Sequence, residues 1–466
     1  MMYKRLSYLL LTSCLIVPSA QAETLLDLYT LAKENDAQLK ISESDRLIAL
    51  EAKPQANASL LPQVTLGADV TESWNTENWM SGSDTENTSA GYSVSLSYPL
   101  YRRDRQILLE QADTGVKVAE ATYASQQQAL IQRLASAYFN ILNAEDNLRF
   151  TRGAREAFRR QLDQTQQRFD VGLIAITDVK EAQSGFDQAV ADEITAQNTV
   201  DQSYETLREI TGSYHKLLAT LKSDTPLLPP DPQDIDAWTK TALEQNPQII
   251  AQLAAIENAR QEVERQRAGN LPTVDLTARH GYSDIIRGDE SNFSMSTSNS
   301  VGVSLSYSLY EGGAIRSKIR EAQQRYVQEL DRLEQTRRSI QNQTHTNYLN
   351  VLSGISRVKA SRQAVESALT ALEAIETGFD VGTRTSVDVL NARRDLLDAQ
   401  RNYSQARYQY VLSTVTLKQS AGLLRLEDLV AINEWLTVPA KTEQPVATEK
   451  TDEKTGKETS KKSAKK

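Results

Sequence analysis

The sequence predicts an α+β membrane protein that combines very long helices with four short membrane-crossing strands in each chain. Three observations predict this class. The chain is a tandem repeat, it has two long stretches without proline, and four segments of roughly ten residues alternate apolar and polar side chains. Because four strands are too few to close a barrel, the same pattern predicts a homo-oligomer.

The tandem repeat is visible as matches at a nearly constant shift. "LLPQVTLGADV" at Leu60 recurs as "NLPTVDLTARH" at Asn270, which is a shift of 210 residues. "VSLSYPLY" at Val94 recurs as "VSLSYSLY" at Val303, which is a shift of 209. Three further pairs keep the shift of 210: Tyr138 and Tyr348, Phe169 and Phe379, Gly212 and Gly422. Such a long register indicates an internal duplication.

Two proline-free stretches predict helices of unusual length. No proline lies between Pro99 and Pro226 or between Pro272 and Pro439. Both stretches are rich in good helix formers such as Ala, Gln, Leu, Arg and Glu. A single helix over 103–169 would be on the order of 100 Å long, far more than a globular domain uses.

Heptad spacing indicates that the helices form coiled coils. In both repeats, small, apolar and some polar residues recur at alternating steps of four and three. The series are Ala182, Phe186, Ala189, Glu193, Ala196, Val200, Ser203, Leu207 and Ile210, and Ala392, Leu396, Ala399, Tyr403, Ala406, Tyr410, Ser413, Leu417 and Ser420. Small seam residues suit closely packed helices on a curved wall, although a solvated helical hairpin is the alternative.

The four alternating segments predict strands at about 62–71, 91–101, 272–282 and 300–310. Each is long enough to cross an outer membrane, and a half-buried strand of a soluble sheet is the alternative. The polar segments Thr71–Ala90 and Ser283–Ser300 are expected to be solvent-facing loops. Tyrosines at equivalent strand ends predict an interfacial aromatic girdle: Tyr98, Tyr101, Tyr307 and Tyr310.

An unpaired strand edge is not tolerated in lipid, so several chains must pool their strands. Three chains with four strands each would provide about twelve strands, and cyclic threefold symmetry is a common form of closure. The sequence therefore predicts a homotrimer.

Residues 1–22 are predicted to be a signal peptide, because Lys4 and Arg5 precede an apolar run that ends at a small-x-small cleavage pattern. The predicted mature start is Glu23. Lipidation of Cys14, the only cysteine of the chain, is one alternative, and a membrane anchor is another.

The other boundaries follow from the repeat and from composition. The first structural repeat is predicted over 23–225 and the second over 241–440. Between them, the linker 226–240 contains four prolines and is predicted to be an irregular segment of an equatorial belt. The Lys-rich tail 441–466 is predicted to be disordered.

Composition and missing motifs exclude several function classes. With 52 basic and 61 acidic residues, the net charge of −9 argues against a nucleic-acid partner. The mean hydropathy of −0.49 argues against a polytopic helical membrane protein. Nucleotide-binding, hydrolase and metal-ligand motifs are absent from the sequence, so we expect no enzyme, no catalytic residue, no cofactor and no metal site.

The two repeated turns resemble the TolC family of trimeric outer-membrane efflux and secretion channels of Gram-negative bacteria. The resemblance spans roughly 23–435 and is carried by "FDVGLIAITDV", "LREITG" and "VGTRTSVDVL". It implies a homotrimeric 12-stranded β-barrel in the outer membrane, continued by a coiled-coil α-helical tunnel through the periplasm.

The resemblance also implies a function and partners. The channel would be the exit duct of tripartite efflux pumps and type I secretion systems, passing drugs, bile salts or proteins and thereby supporting antibiotic resistance. Implied partners are a periplasmic adaptor (membrane fusion) protein, an inner-membrane RND, ABC or MFS transporter, and outer-membrane lipid. The alternative is a coiled-coil surface adhesin or envelope tether without a pore, which would need no pore-forming strands.

The resemblance places a pore gate at two tip turns, 169–178 and 379–388. Gly172 and Gly382 lie in the turns. Thr177, Asp178, Arg384 and Asp388 match gate positions of the family. Asp178 and Arg384 would pair between neighbouring coils, and Asp388 would form a lumenal ring of carboxylates that favours cations.

Two residues depart from the family's gate. Phe379 stands where the family commonly has Tyr, which removes one hydroxyl, and Asn391 stands where a second ring Asp is frequent. Helix capping is the alternative role for Asp178 and Asp388, and Thr385 with Asp388 fits a capping box. Capping and gating are compatible with each other.

Overall fold

The computed structural model describes residues 22–75, 85–287 and 295–437. Cys14, the predicted signal peptide up to residue 21 and the predicted tail lie outside these ranges. Within the described residues, no helix is both long enough and apolar enough to cross a membrane.

Each repeat contains the same series of two short helices, a β-hairpin and two long helices. The first repeat consists of α1 (Leu25–Asn35), α2 (Ala37–Ala58), β1 (Gln63–Asn75), β2 (Thr85–Tyr101), α3 (Arg103–Asp170) and α4 (Ile176–Thr211). The second consists of α5 (Ile235–Gln245), α6 (Pro247–Arg267), β4 (Thr273–Arg287), β5 (Ser296–Ser306), α7 (Ala314–Asp380) and α8 (Ser386–Ser420). Besides these, the described chain contains a 3₁₀ turn (Ala268–Asn270) after α6, the short strands β3 (Thr220–Leu221) and β6 (Leu436–Thr437), and the helix α9 (Leu426–Asn433).

The long helices confirm the interpretation of the proline-free stretches. Helix α3 has 68 residues and α7 has 67. Helix α3 packs along α4, and α7 packs along α8. The predicted heptad positions supply most of the buried residues of α4 and α8, including Ala189, Ala196, Val200, Leu207 and Ile210, and Ala392, Leu396, Ala406, Tyr410 and Leu417. The seams are therefore closed by small and apolar side chains, as a coiled coil requires.

The four long strands form one antiparallel sheet in the order β1-β2-β4-β5. The register places Val64 opposite Leu96, Leu96 opposite Ala278, and Ala278 opposite Val301. Directly paired residues point to the same face of a sheet, so the alternating apolar positions share one face, on which His280 and Asn299 are polar exceptions.

The strand ends differ from those predicted. Strand β2 begins at Thr85, inside the segment expected to be a loop, because the hairpin continues beyond the apolar stretch. Strand β5 ends at Ser306 rather than near 310, because Ser306 pairs with Thr273, the first residue of β4. Within the described residues of one chain, the positions after Ser306 lie beyond the start of β4 and have no strand opposite them.

Part of the linker is helical, which corrects the prediction of a wholly irregular segment. Helix α5 begins at Ile235, after the last linker proline, Pro232, and Asp234 caps it by accepting a hydrogen bond from the Asp236 backbone N–H. Trp238 is buried and donates from Nε1 to the Pro232 carbonyl oxygen at 2.8 Å. The proline-rich part is thereby anchored to the core.

Asp36 joins the start of α2 to α3. Its side chain is 4% exposed and accepts hydrogen bonds from the Leu39 backbone N–H at 2.7 Å and from both terminal nitrogens of Arg133 at 3.0 and 3.1 Å. We expect Asp36→Ala to lower the free energy of unfolding by about 2–4 kcal/mol, because the cap and the partner of a half-buried Arg are both lost. Asp36→Asn keeps the capping acceptor and should cost clearly less in thermal unfolding. Equal losses would contradict the two roles.

Candidate functional site

Two tight turns connect the long helices at the ends furthest from the sheet. In the first, Gly172 adopts a left-handed conformation with φ of 76°, and in the second Gly382 does so with φ of 81°. The backbone N–H of the following residue then returns to the helix: Leu173 donates to the Arg168 carbonyl at 2.9 Å, and Thr383 donates to Gly378 at 2.8 Å. The predicted tip turns are therefore present in both repeats and share one geometry.

Apolar side chains at the tips face solvent in the single chain. Val171, Leu173 and Val381 are each at least 70% exposed. Exposed apolar residues clustered at the end of a long helical hairpin are typical of a contact surface for another protein.

Asp388 begins α8 with a complete capping box. Its Oδ2 accepts hydrogen bonds at 2.8 Å from both the backbone N–H and the hydroxyl of Thr385, and its own N–H donates to Thr385 Oγ1 at 3.2 Å. The pKa of Asp388 is held below its usual range, mainly by the hydrogen bond from the Thr385 backbone N–H and then by that from the Thr385 hydroxyl. The positive charge of nearby Arg384 lowers it further. Asp388 therefore carries a negative charge at neutral pH and caps α8, while the lumenal ring of carboxylates stays a prediction.

The other predicted gate residues lie at the same two tips, but within one chain they do not come together into a single site. Thr177 and Asp178 are exposed in the first turn of α4, and their side chains contact each other at 3.5 Å. Arg384 is exposed beside Gly378, Asn391 is exposed, and Phe379 is 37% exposed. The ion pairs of the described single chain do not include one between Asp178 and Arg384, so their pairing between coils stays a prediction.

Polar contacts higher in the helices were not predicted from the sequence. The hydroxyl of Tyr204 in α4 donates to Glu145 of α3 at 2.6 Å, and that of Tyr408 in α8 donates to Asp146 at 2.9 Å. Two adjacent carboxylates of α3 thus hold helices from both coiled coils. The sequence feature that could have predicted these contacts is the adjacent Glu and Asp among the buried residues of "ILNAEDNL", because buried charges need partners.

Burial raises the pKa of the Glu145 carboxyl, and the Tyr204 hydrogen bond lowers it only in part. The folded state therefore binds this proton more tightly than the unfolded state, and the contribution of Glu145 to stability falls as pH rises above about 4.5. We expect Glu145→Gln to keep the Tyr204 hydrogen bond, to change stability at pH 7 by less than about 1 kcal/mol, and to weaken the pH dependence.

Thermal unfolding across pH 5–8 provides the measurement. Glu193→Gln is the matched control. Glu193 accepts hydrogen bonds from Arg152 at 3.1 Å and Arg155 at 2.6 Å, so this variant loses two ion pairs and should be less stable. A larger loss at pH 7 for Glu145→Gln than for Glu193→Gln would contradict this account.

The sheet has one apolar and one polar face, as a membrane-crossing wall requires. On the apolar face, Val64, Leu66, Val301, Val303 and Leu305 are all more than 60% exposed. The opposite face carries a series of serines and threonines that includes Ser93, Ser95, Ser97, Thr277 and Ser304. An apolar surface of this extent needs a nonaqueous neighbour, because leaving it in water is unfavourable.

Aromatic side chains lie towards both ends of the sheet. Tyr98 and Tyr101 belong to β2, whereas Tyr307 and Tyr310 follow the end of β5 and are 52% and 88% exposed. A second aromatic group, missed from the sequence, lies nearer the hairpin loops. There Tyr92 stacks on Tyr282 at 5.6 Å, and Trp74 is 68% exposed. Two aromatic belts around an apolar band are typical of a membrane-embedded sheet.

Comparisons with known proteins agree with this architecture. The family model for outer membrane efflux proteins matches residues 28–213 and 238–423, one match for each repeat. Over 446 residues the chain is 37% identical to outer membrane protein TolC of Escherichia coli strain K12. This alignment covers 93% of this chain and 89% of that protein. Over 422 residues it is 39% identical to outer membrane protein TolC of Vibrio cholerae, with 90% and 95% covered.

The chain is also similar to a more distant relative in sequence and to a solved structure in fold. The alkaline protease secretion protein AprF of Pseudomonas aeruginosa is 29% identical over 423 residues and covers 89% of this chain and 88% of its own length. The crystal structure of the Campylobacter jejuni CmeC outer membrane channel superposes with a TM-score of 0.73 at 18% identity, covering 89% of this chain and 90% of that chain. The chain belongs to the outer membrane efflux protein family.

Proposed function

We propose that this protein is the outer-membrane exit duct of tripartite efflux pumps and type I secretion systems. The observation that carries the proposal is the continuity of the four-stranded sheet, with its apolar face, into helices of 68 and 67 residues. The strands span the outer membrane of a Gram-negative bacterium, and the helices extend into the periplasm. Relatives named for outer-membrane efflux and protease secretion support this assignment.

The working form is a homotrimer. One chain leaves both edges of its sheet, β1 and β5, without a strand partner in the described residues. Three chains closing edge to edge produce a barrel of about twelve strands and remove every edge from the lipid. The polar serine-rich face then lines the lumen, and the apolar face contacts the membrane.

Partners dock at the helical tips. The exposed apolar residues of both tip turns suit contact with a periplasmic adaptor protein, and through it with an inner-membrane transporter of the RND, ABC or MFS type. The duct itself is passive and is not an enzyme: the inner-membrane transporter supplies the energy, and drugs, bile salts or secreted proteins pass through the lumen. Asp178, Arg384 and Asp388 of the tips gate this passage.

Deleting the gene and restoring it on a plasmid tests the proposal in cells. The deletion strain should accumulate dyes, drugs and bile salts and lose resistance to them, and the intact protein should restore both properties. Light scattering of the detergent-solubilised protein should give a trimer. An adhesin or tether would instead leave drug accumulation unchanged while altering attachment or envelope integrity.

A further inference from the structure

A short row of polar side chains interrupts the apolar face of the sheet. His280 of β4 lies directly opposite Asn299 of β5, and the His280 Nδ1 and Asn299 Oδ1 atoms are 2.6 Å apart. The other ring nitrogen of His280, Nε2, lies 3.5 Å from the hydroxyl oxygen of Tyr92 in β2. These three side chains, which we call the polar row, cross three adjacent strands.

The first hairpin shows that membrane depth alone does not explain this polarity. With the repeat shifts of 210 and 209, Val70 is equivalent to His280 and Ala90 to Asn299. Val70 pairs with Ala90, as His280 pairs with Asn299. The first repeat therefore has an apolar pair, with Val70 71% exposed, where the second repeat has a polar one. The polar pair needs an explanation of its own.

The polar row lies where the apolar band ends on the side of the hairpin loops. On β1 the apolar residues of this face continue up to Val70, and Glu72 is next. On β4 they continue up to Ala278, and the polar row follows. In the proposed function the hairpin loops face the exterior, so this boundary separates the acyl chains from the headgroups of the outer leaflet. Polar side chains on a lipid-facing surface cost least at such a boundary.

The size and chemistry of the polar row fit a sugar headgroup. Neighbouring strands are about 4.8 Å apart, so the row from Tyr92 to Asn299 spans about 10 Å, enough for linked sugar rings. Tyr92 is 44% exposed and stacks on Tyr282 at 5.6 Å, which provides aromatic surface for the C–H face of a sugar. The amide N–H groups of Asn299 have no acceptor among the described residues, and a sugar hydroxyl can accept from them.

A phosphate group alone is a poorer fit. The polar row contains no Lys or Arg to neutralise it. Asp284 lies beside the row, with its Oδ2 atom 3.5 Å from the Tyr282 hydroxyl, and its negative charge repels a bound anion. The contacts at this position therefore favour hydroxyl groups over phosphate.

We infer that the polar row binds the sugar headgroup of a glycolipid in the outer leaflet of the outer membrane, with one lipid for each chain. The exposed apolar residues next to the row, such as Val301, contact the acyl chains of the same lipid. This inference rests on the membrane orientation of the proposed function and adds to it a lipid class and a binding site.

Native mass spectrometry of the purified trimer tests the inference by counting bound lipids. In a detergent without sugar, the trimer mixed with lipid A should retain one lipid A molecule for each chain. Cardiolipin is the matched control lipid, because it carries phosphates and several acyl chains but no sugar ring. It should be retained about tenfold less at the same concentration, because it cannot replace the hydrogen bonds of the sugar.

Two double variants show whether the polar row is the site. His280→Val combined with Asn299→Ala gives the second hairpin the apolar pair of the first and should lower lipid A retention about tenfold. Arg279→Ala combined with Ser300→Ala is the matched control, because these two residues pair on the opposite face of the same strands and should leave retention unchanged. Tyr92→Leu leaves the polar pair intact and should also lower retention.

The outcomes separate this inference from the proposed function. Equal retention of lipid A and cardiolipin would overturn the lipid site, as would parental retention in His280→Val with Asn299→Ala or in Tyr92→Leu. The variants should conduct like the parent in planar bilayers, because their substitutions face away from the lumen. A parent trimer that retains lipid A at the polar row but carries no current would contradict the proposed function and leave the lipid site standing.

Discussion

Arg384→Ala should raise the single-channel conductance of the reconstituted channel and admit bulky antibiotics that the parent excludes. Exposed ion pairs contribute about 0–1 kcal/mol each, and a trimer contains three copies. Moving a closed state fully to an open one requires about 5.5 kcal/mol, so we expect partial opening and a rise of a few fold. Asp178→Ala should act in the same direction, because it removes the other member of the predicted pair.

Two controls make the gate result specific. Arg393 pairs with Glu376 at 2.8 Å between α7 and α8 of the same coil, so Arg393→Ala should leave conductance close to that of the parent. Asp388→Ala should lower cation preference and block by multivalent cations, with little effect on opening. Unchanged conductance for Arg384→Ala, combined with loss of the trimer for Asp388→Ala, would contradict the gate and leave capping as the role of Asp388.

Gly422→Ala should be among the most destabilising single substitutions in the belt. Gly422 has φ of 73°, and an added Cβ would lie 2.7 Å from both the Gln245 carbonyl oxygen and the Asn246 Cα. Backbone atoms cannot move aside as a flexible side chain can, so we expect a loss of about 3 kcal/mol or more and a much lower trimer yield.

Gly382→Ala is the matched control for this substitution. Gly382 has a similar φ of 81°, but nothing lies within 4 Å of the position of an added Cβ. Only the conformational cost of about 1–2 kcal/mol applies there. If the two alanine variants lost equal stability in thermal unfolding, the close approach of the backbones at Gly422 would not be the cause.

The parts of the fold that depend on local pattern were predictable from sequence. The absence of proline after Pro99 predicted a helix over 103–169, and α3 runs from Arg103 to Asp170, because no proline in this stretch removes a backbone hydrogen bond or breaks the helix. The end of β5 at Ser306 was not predictable in this way. It depends on where β4 begins, and strand pairing is a non-local property.

In the candidate site, too, the local contacts were predictable from sequence and the non-local contacts were not. The capping box of Thr385 and Asp388 joins residues three apart, so spacing alone predicted it correctly. The contact of Tyr204 with Glu145 joins residues 59 positions apart, and it requires the relative rotation of two helices, which heptad spacing does not specify for a single side chain. The pair of Asp178 and Arg384 is less local still, because it joins neighbouring coils, and it stays a prediction.

If this chain assembles into a pore across the outer membrane, the purified trimer should conduct ions in a planar lipid bilayer. We expect discrete, cation-preferring conductance steps that multivalent cations block from the side of the helical tips. Correctly folded trimer that inserts into the bilayer but carries no current, in the parent and in Arg384→Ala alike, would contradict it.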